Sequence, residues 1–435
     1  MKPNIIIIVL DEIRAKNLSL YGYHKEFDKN IKKIASESIV FNQYISDSNG
    51  SYPSATSLFT GKYAANHGII NTFPYTPKEQ IDKLRQTKFW LPLYLQKHGY
   101  DTYLISLIRA WFKKGFNYIQ GDKQKDPYRR INDNALIKKV IKLFPDWFYI
   151  LLKRLTKRDQ KSDFPAPGET LNLAIEKIKT TKKPFFMFIH IEDAHYPWAT
   201  TKTPKLKNSL SRRETIRRIK SKEQKKYVQR RMFNTNAESF EEVEAKYNKS
   251  IELVDSDLAR LHSFLKKEKL WDNTILILLG DHGLSISEHQ IHIHHAGLYD
   301  ETTHVPLIMH LPGMKHKVID ELVQNVDIAP TLLDILKEKR SVDVDGKSII
   351  QLIKTGKPIR DKAFSFDSSA IKRWAVRTKE KKIIFSPNKK CLACKAEHGE
   401  HVEEYDLIND PRELKNIHSN KYKSSDFNEK FKFIQ

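Results

Sequence analysis

Short uninterrupted apolar runs recur along the chain and alternate with stretches of helical periodicity. The runs cover residues 4–10, 184–191, 274–279 and 305–310. Strands that are apolar on both faces are typical of parallel sheets covered by helices on both sides. Between Tyr247 and Leu265 the apolar positions recur every three or four residues, which predicts a long amphipathic helix. The pattern therefore predicts an α/β fold.

Further segments continue this alternation. Strands are predicted at 38–45 and 100–107, and helices at 89–98, 171–178 and 328–336. Such alternation favours a central, mostly parallel sheet. Residues 374–378 and 381–385 have the pattern of antiparallel strands in a small C-terminal subdomain. We expect residues 1–340 to form the main α/β domain, with basic insertions near 108–165 and 201–232, and residues 341–435 to form an α+β subdomain that completes the fold.

Polar side chains follow three of the predicted strands. Asp11 and Glu12 end the first, Asp281 and His282 end another, and the segment from His190 to His195 ends a third. Because ligands of open α/β sheets bind at the carboxyl ends of the strands, we expect these groups to converge. Carboxylates with an imidazole suit a divalent cation such as Ca²⁺, Mg²⁺, Mn²⁺ or Zn²⁺. Each acid by itself is equally explained as a cap or turn residue.

Ser51 stands where a strand, a tight turn and a helix meet. Asn49-Gly50 marks the turn, small hydroxyl residues follow, and Gly61 ends the predicted helix. The first turn of a helix offers free N–H groups and a positive dipole end to an anionic substrate. We interpret Ser51 as a candidate nucleophile. The alternative is an ordinary Ser/Thr-rich loop that caps a helix.

Histidines are concentrated after Asp281. His282, His289, His292, His294 and His295 all fall between residues 282 and 295. Imidazoles in such a segment can bind a metal, hold an oxyanion or protonate a leaving group. The alternation of His292 and His294 is also that of one face of an exposed strand, so we expect two or three of the five to be functional.

The charge of the chain changes the expected class of partner. Lys and Arg total 76 against 53 Asp and Glu, a formal net charge of +23. This charge favours polyanionic partners. Among them we expect an anionic ester substrate rather than nucleic acid. Residues 201–232, with 13 Lys or Arg and two Glu, are read as solvated surface or a lid, or as a polyanion-binding arm. Residues 145–155 combine aromatic, aliphatic and cationic side chains, as a peripheral membrane helix or a helix packed on its own domain does.

The expected location is the cytoplasm, with peripheral contact to the inner membrane face as an option. No run approaches 18 uncharged apolar residues, and the N-terminal apolar run is short and ends in Asp11.

The two cysteines exclude a disulfide framework. Cys391 and Cys394 precede His398 and His401, and these four residues are a candidate structural zinc site. The alternative is an ordinary hairpin insertion.

Several ordered motifs together resemble one family. The chain resembles the sulfatase family of the alkaline phosphatase superfamily over most of its length. The first strand with its acidic pair, the segment 51–61, and His195 after a central strand resemble family landmarks. The later landmarks are Gly280-Asp-His-Gly283, Glu288-His289, residues 299–306, Asp327-Ile-Ala-Pro-Thr-Leu-Leu333 and Tyr405-Asp-Leu-Ile-Asn-Asp-Pro411.

The resemblance implies an alkaline-phosphatase-like sandwich and a sulfatase-like, metal-dependent hydrolase of sulfate or phosphate esters on an anionic glycan or lipid headgroup. Ser51, or formylglycine made from it, would be the nucleophile. One divalent cation is implied, Ca²⁺ for a sulfatase and Mn²⁺ or Zn²⁺ for a phosphoesterase. Its implied ligands are Asp11, Glu12, Ser51, Asp281 and His282. The implied groups that bind the oxyanion or protonate the leaving oxygen are His195, His289 and His295.

Three departures from the family pattern concern the activity. Ala55 stands where the family has an arginine that supports formylglycine, His295 replaces a lysine, and Glu12 replaces an aspartate. These changes favour an unmodified serine acting on phosphorus. Two other functions stay open: a membrane-surface transferase of phospho-headgroups that uses residues 108–165, and a non-catalytic polyanion-binding protein with a degenerate site.

Overall fold

The computed structural model describes residues 2–108, 110–120, 168–181, 184–198, 206, 209–338, 342–370 and 373–419. The strands are β1 Asn4–Leu10, β2 Ile39–Ile45, β3 Asp101–Ile105, β4 Tyr118–Ile119, β5 Phe185–Ile191, β6 Thr274–Gly280, β7 Leu307–His310, β8 Lys317–Gln324, β9 Ala363–Phe366, β10 Trp374–Arg377, β11 Lys381–Phe385 and β12 Val402–Asp406. The α-helices are α1 Lys29–Ala35, α2 Ser51–Thr60, α3 Ala64–His67, α4 Lys78–Arg85, α5 Leu91–Lys97, α6 Glu169–Thr180, α7 Arg212–Arg217, α8 Lys222–Thr235, α9 Phe240–Lys267, α10 Asp300–Thr303, α11 Ile328–Ile335 and α12 Ile350–Thr355.

Eight strands form the central sheet in the order β4-β3-β5-β1-β6-β7-β2-β8. Strand β7 runs antiparallel to both of its neighbours, and the other adjacent pairs are parallel. The prediction of a mostly parallel sheet is therefore confirmed. Strand β1 lies between β5 and β6, so the ends of these three strands meet at one edge.

The side chains of β1 alternate between two hydrophobic cores. Ile5, Ile7 and Val9 face the core that includes α2, α5 and α11, whereas Ile6 and Ile8 face the core that includes α1, α6 and α9. All seven residues of β1 are buried, as the uninterrupted apolar run predicts. Helices cover both faces, so the architecture is the predicted α/β sandwich.

The C-terminal part forms a separate antiparallel sheet in the order β12-β11-β10-β9. Strands β10 and β11 match the predicted alternating segments. The amide of Phe366 in β9 donates a hydrogen bond to the carbonyl of Asp47, 2.8 Å away, just after β2. This contact places β9 next to the turn that precedes α2.

Part of the basic segment is folded rather than solvated. Val228 and Met232 of α8 are fully buried in the core shared with α9. One face of α8 is therefore part of the core, whereas Lys222, Lys226 and Arg230 are exposed as expected for solvated surface. Residues 201–205 and 207–208 lie outside the described part. The candidate membrane segment, residues 145–155, also lies outside it. Among the helices that the structure describes, none is long and apolar enough to cross a bilayer.

The two helices α1 and α9 are joined by a carboxylate. The Oδ1 atom of Asp255 in α9 accepts hydrogen bonds from the amides of Asn30, at 2.9 Å, and Ile31, at 2.7 Å. These are first-turn amides of α1, which have no partner within their own helix.

We expect Asp255→Ala to lower the free energy of unfolding by about 1–3 kcal/mol, since it leaves these amide donors unpaired. Urea denaturation measures this, with exposed Asp272→Ala as the control; equal stability of both variants would refute the capping role.

Candidate active site

The ends of β1 and β6 place three metal-binding side chains together. Leu10 pairs with Gly280, so Asp11 lies beside Asp281 and His282 at the sheet edge. One ligand atom from each of the three lies within 4.8 Å of the others, and all three residues are buried. The convergence expected from the strand ends is therefore present for these three residues.

Ser51 begins α2 and faces this group. Its Oγ lies 3.1 Å from Nε2 of His282 and 3.4 Å from Oδ1 of Asp11. Gly50, the residue before it, has extended backbone, and a Cβ atom there would collide with the side chain of Ser368. A glycine is therefore required for the turn to pass close to the C-terminal part and deliver Ser51 to the sheet edge.

The hydrogen bond at the other ring nitrogen fixes the tautomer of His282. Its Nδ1 lies 2.8 Å from the carbonyl oxygen of Gly283, which can only accept. Nδ1 therefore carries a proton, and in the neutral ring Nε2 presents a lone pair to Ser51 and the two aspartates. This is the arrangement of a histidine prepared to bind a metal.

The electrostatics of the two aspartates fit a bound cation. Burial and the nearby charge of Asp281 raise the pKa of Asp11 well above its ordinary value. Burial also raises the pKa of Asp281, but the imidazoles of His282 and His190 outweigh burial and hold it below its ordinary value. Two carboxylates this close resist ionising together unless a positive charge compensates them. The residues present therefore suit a divalent cation.

His190, which belongs to a segment expected to converge here but was not among the predicted ligands or catalytic residues, lies beneath the group. Its Nε2 is 3.6 Å from Oδ2 of Asp11 and 3.5 Å from Oδ2 of Asp281, and its Nδ1 is 3.4 Å from Oε1 of Glu192. Burial lowers the pKa of His190, but the contacts with Asp281 and Glu192 outweigh burial and hold it well above its ordinary value. The position of His190 near the end of its strand could have indicated this role. His190 pairs with Val9, two residues before Asp11.

Glu12 does not join the three-residue group. Its backbone has a φ of +59°, and its Oε2 accepts a hydrogen bond from the amide of Tyr196 at 3.1 Å. Its Oε1 lies 3.4 Å from Nε2 of His195. Glu12 thus contacts Tyr196 and His195, and its expected role as a metal ligand stays a prediction.

His195 and His295 lie at the mouth of the site. The Nδ1 of His195 is 2.6 Å from the carbonyl of Tyr196, and its Nε2 is 3.4 Å from Oε1 of Glu12, so both ring nitrogens have an acceptor nearby. The ring centroid of His295 is 5.1 Å from that of His282. Burial, His282 and further cationic neighbours hold the pKa of His295 well below its ordinary value. The neutral form of the His295 ring is therefore favoured.

Arg231, inside the segment read as surface, reaches the same mouth. Its guanidinium carbon lies 3.9 Å from the ring centroid of Tyr196 and 4.9 Å from that of Tyr227. Its charge is among the influences that lower the pKa of His295. The signal in the sequence is the helical spacing of Tyr227 and Arg231, four residues apart on α8.

The structure places His289 elsewhere. Its Nε2 lies 3.2 Å from Oε2 of Glu301, and its ring stacks on Tyr299 at a centroid distance of 3.7 Å. With Glu301 and Glu413 it forms a different group of candidate ligand atoms. His289 therefore lies in a cluster separate from Asp11, Asp281 and His282, and its catalytic role stays a prediction.

The predicted zinc set also changes by one residue. Cys391, Cys394 and His398 come together, but the fourth member is His294. His401 bonds instead to the carbonyl of Ser386, 3.0 Å from its Nδ1. His294 is buried and belongs to no strand, so the reading of 292–294 as an exposed strand is wrong.

Comparison with known families decides the identity. The sequence model described as Sulfatase matches residues 3–338, most of the chain. The chain belongs to the sulfatase family. A second model, described as N-sulphoglucosamine sulphohydrolase, C-terminal, matches residues 288–432 of this sulfatase. Membership confirms the predicted family and the predicted class of enzyme, a sulfuric ester hydrolase.

Individual relatives of this sulfatase are distant. The N-acetylglucosamine-6-O-sulfatase of Bacteroides thetaiotaomicron is 22% identical over 500 aligned residues, covering 96% of this chain and 82% of the relative. An ulvan-active sulfatase of Formosa agariphila is 24% identical over 377, covering 83% and 67%.

Solved structures show the same fold. One, in complex with its substrate D-glucosamine-2-N,6-O-disulfate, superposes with a TM-score of 0.66 at 19% identity and covers 100% of this chain and 97% of that one. The phosphonate monoester hydrolase of Agrobacterium radiobacter gives 0.66 at 18% identity, with 100% and 95% covered. These likenesses confirm the predicted fold.

The raised pKa of Asp11 predicts how the metal-free sulfatase responds to pH. The native state retains a proton that the unfolded chain releases above the ordinary value of 3.8. The contribution of Asp11 to stability is thus present at low pH and lost as the pH rises toward the raised native pKa. A divalent cation binds the ionised form, so its stabilising effect grows over the same range.

Urea denaturation with EDTA and with Ca²⁺, in buffers from about pH 4 to about pH 8, measures this effect. Asp11→Asn is the control, because buried acids that do not interact with Asp11 titrate alike in both proteins and cancel in the difference. We expect the difference in stability between metal-free wild type and this variant to fall with rising pH. Equal stabilisation of both proteins by the cation at every pH would contradict the assignment.

Proposed function

We propose that this sulfatase is a divalent-cation-dependent hydrolase that cleaves a sulfate ester on an anionic saccharide, with Ser51, or formylglycine made from it, as the nucleophile. The observation that supports it best is the position of Ser51. Its hydroxyl lies at the N-terminus of α2 and within 3.1–3.4 Å of two members of the Asp11–Asp281–His282 group. A nucleophile, a cation site and a helix terminus that favours anions thus converge.

A cation held by Asp11, Asp281 and His282 supplies Lewis acidity, which lowers the pKa of the nucleophilic hydroxyl and withdraws charge from the ester oxygens. The residues of the chain position the other groups. The Ser51 oxygen attacks from the first turn of α2, where unpaired N–H groups favour the anionic ester. His190 beneath the carboxylates holds their second oxygens in place.

The leaving oxygen needs a proton, and His195 is placed to give it. Its two ring nitrogens face the Tyr196 carbonyl and the Glu12 carboxylate, which orient the imidazole toward the reacting ester. His295 provides a neutral imidazole. In the described part of the chain, its buried Nδ1 has no hydrogen-bond partner, so this nitrogen is available to an ester oxygen.

The chemistry of the nucleophile distinguishes sulfate from phosphate. A formylglycine hydrate attacks sulfur through one hydroxyl, and loss of the proton from the second hydroxyl re-forms the aldehyde and expels sulfate. A plain serine would remain a sulfate ester with no such exit. A phosphoserine, in contrast, is hydrolysed by an activated water. Phosphate ester hydrolysis by unmodified Ser51 is therefore the second candidate, and Ala55 in place of the family's arginine favours it.

The relatives guide the proposed substrate class. Those reported above are, by name, a glucosamine 6-O-sulfatase and an ulvan-active sulfatase, and a similar structure contains a disulfated glucosamine. A sulfated saccharide is therefore a better-supported substrate than a lipid headgroup. Arg231 at the mouth offers a fixed positive charge to a second anionic group on the sugar.

The state of Ser51 can be read directly by mass spectrometry of its peptide from protein made in the native host. Conversion to formylglycine removes two hydrogens, about 2 Da. The shifted mass, with turnover of sulfated monosaccharides, is the result expected from the first candidate. An unshifted mass with turnover of phosphodiesters instead supports the second. In either case Ser51→Ala lowers kcat by at least about 1,000-fold. Ser54→Ala, one turn along the same helix, is the control; full activity of Ser51→Ala refutes both candidates.

Arg231 should affect the binding of anionic substrates. We expect Arg231→Ala to lower kcat/KM by about 10- to 100-fold, since it removes a charge-assisted contact of about 1.5–3 kcal/mol. Steady-state kinetics at two ionic strengths measures it. Lys226→Ala removes one positive charge from an exposed position on the same helix and should change kcat/KM little. Equal losses in the two variants would mean that only the overall charge matters.

A further inference from the structure

We infer that the chain contains a second metal site, a structural Zn²⁺ site formed by His294, Cys391, Cys394 and His398, which anchors the histidine segment of the active site to the C-terminal part. One ligand atom from each of the four lies within 4.8 Å of the others, and all four residues are buried. The site shares no residue with the group that faces Ser51.

The distances approach those of a tetrahedral centre. Nε2 of His294 lies 3.2 Å from Sγ of Cys391, and Nε2 of His398 lies 3.0 Å from Sγ of Cys394. Zn–S and Zn–N bonds of about 2.3 and 2.0–2.1 Å place tetrahedral ligand atoms about 3.3–3.8 Å apart. These two pairs thus need to separate by only a few tenths of an ångström to accept the ion.

The ligand types select zinc over calcium. Both cysteines are free thiols, and two sulfurs with two imidazoles form the Cys₂His₂ set of structural zinc sites. Calcium and magnesium require oxygen ligands, which Asp11 and Asp281 supply in the other site. The two sites of one chain therefore differ in the chemistry of their ligand atoms.

The backbone around the cysteines is already shaped as a binding turn. The amide of Ala393 donates to Sγ of Cys391 at 3.3 Å, and the amide of Cys391 donates to the carbonyl of Ala396 at 2.8 Å. Lys395 follows with a left-handed φ of +66°, which reverses the chain toward His398. The turn orients both sulfurs inward before any ion binds.

Neighbouring side chains hold the two imidazoles in place. The ring of Tyr227 stacks on His294 at a centroid distance of 4.8 Å. The side-chain NH₂ of Gln224 lies 3.1 Å from Nδ1 of His398, and Nε2 of His398 faces Cys394. Both neighbours belong to α8, the helix that also carries Arg231.

The site joins three parts of the catalytic region. His294 immediately precedes His295, and the side chain of Asn49 donates to the carbonyls of His295 and Gly297, each at 2.7 Å. Asn49 lies two residues before Ser51. A metal at His294 would therefore fix the segment that positions His295 and braces the turn before the nucleophile, as a positioning element rather than a catalytic one.

Metal analysis of the full-length protein tests the inference without using activity. After expression with added zinc and extensive dialysis, we expect one zinc per chain. After replacement by Co²⁺, the spectrum should show the intense visible bands of a tetrahedral ion and a thiolate charge-transfer band. Folded wild type that holds no zinc and gives no such spectrum would overturn the site, as would a Cys391–Cys394 disulfide in the purified protein.

Variants assign the ligands. His294→Ala and Cys394→Ser should weaken zinc binding by more than the roughly 10- to 100-fold that loss of an outer-shell partner costs. His401→Ala is the matched control and should retain the ion. Loss of zinc from His401→Ala with retention in His294→Ala would refute the assignment.

The link to the active site has its own readout. Asp281→Ala should abolish turnover but retain the zinc, which separates this site from the proposed catalytic cation. Zinc-depleted wild type should exchange the backbone amides of residues 294–297 faster with solvent deuterium than the zinc-loaded protein. Unchanged exchange would refute the anchoring role even if zinc is bound.

Discussion

The active site depends on two buried carboxylates, Asp11 and Asp281, which cannot both be ionised without a compensating positive charge. Asp11 and Asp281 lie side by side because β1 and β6 are parallel neighbours in register. Burial and mutual repulsion act against their ionisation, and the protein places imidazoles around them: His190 beneath and His282 beside. This arrangement makes sense for a pocket that receives a cation and then an anionic ester. The helix terminus at Ser51 and the guanidinium of Arg231 add positive charge to this region.

Much of the fold could be predicted from the sequence because some segments have one favourable solution. Six consecutive apolar residues after Asn4, most of them β-branched, favour a strand covered on both faces, and β1 has the predicted bounds. The convergence of Asp11, Asp281 and His282 followed from the same reasoning, since parallel strands end at one edge. In contrast, β8 was not predicted. It has charged residues such as Lys317, Asp320 and Glu321 on an exposed sheet edge, so its pattern resembles a loop.

The features that could not be predicted from the sequence depend on contacts between distant segments. Glu12 turns toward His195 because of a left-handed backbone at one residue, which composition does not reveal. Arg231 reaches the site only because Val228 and Met232 pull α8 into the core. His294 replaces His401 in the cysteine cluster because the two segments, about a hundred residues apart, meet only in the folded protein. Local spacing could suggest zinc but could not choose the fourth ligand.

The reversed strand β7 has a consequence for how this sheet can diversify. A parallel successor to β6 would require the chain to cross to the opposite edge, usually through a helix. Because β7 is antiparallel to β6, the connection of residues 281–306 leaves and re-enters at the same edge. The connection therefore begins and ends at the edge where the pocket lies, and it contributes His282 and His295 to the pocket. Insertions or substitutions in this one loop can reshape the pocket while the order and register of the strands stay as they are.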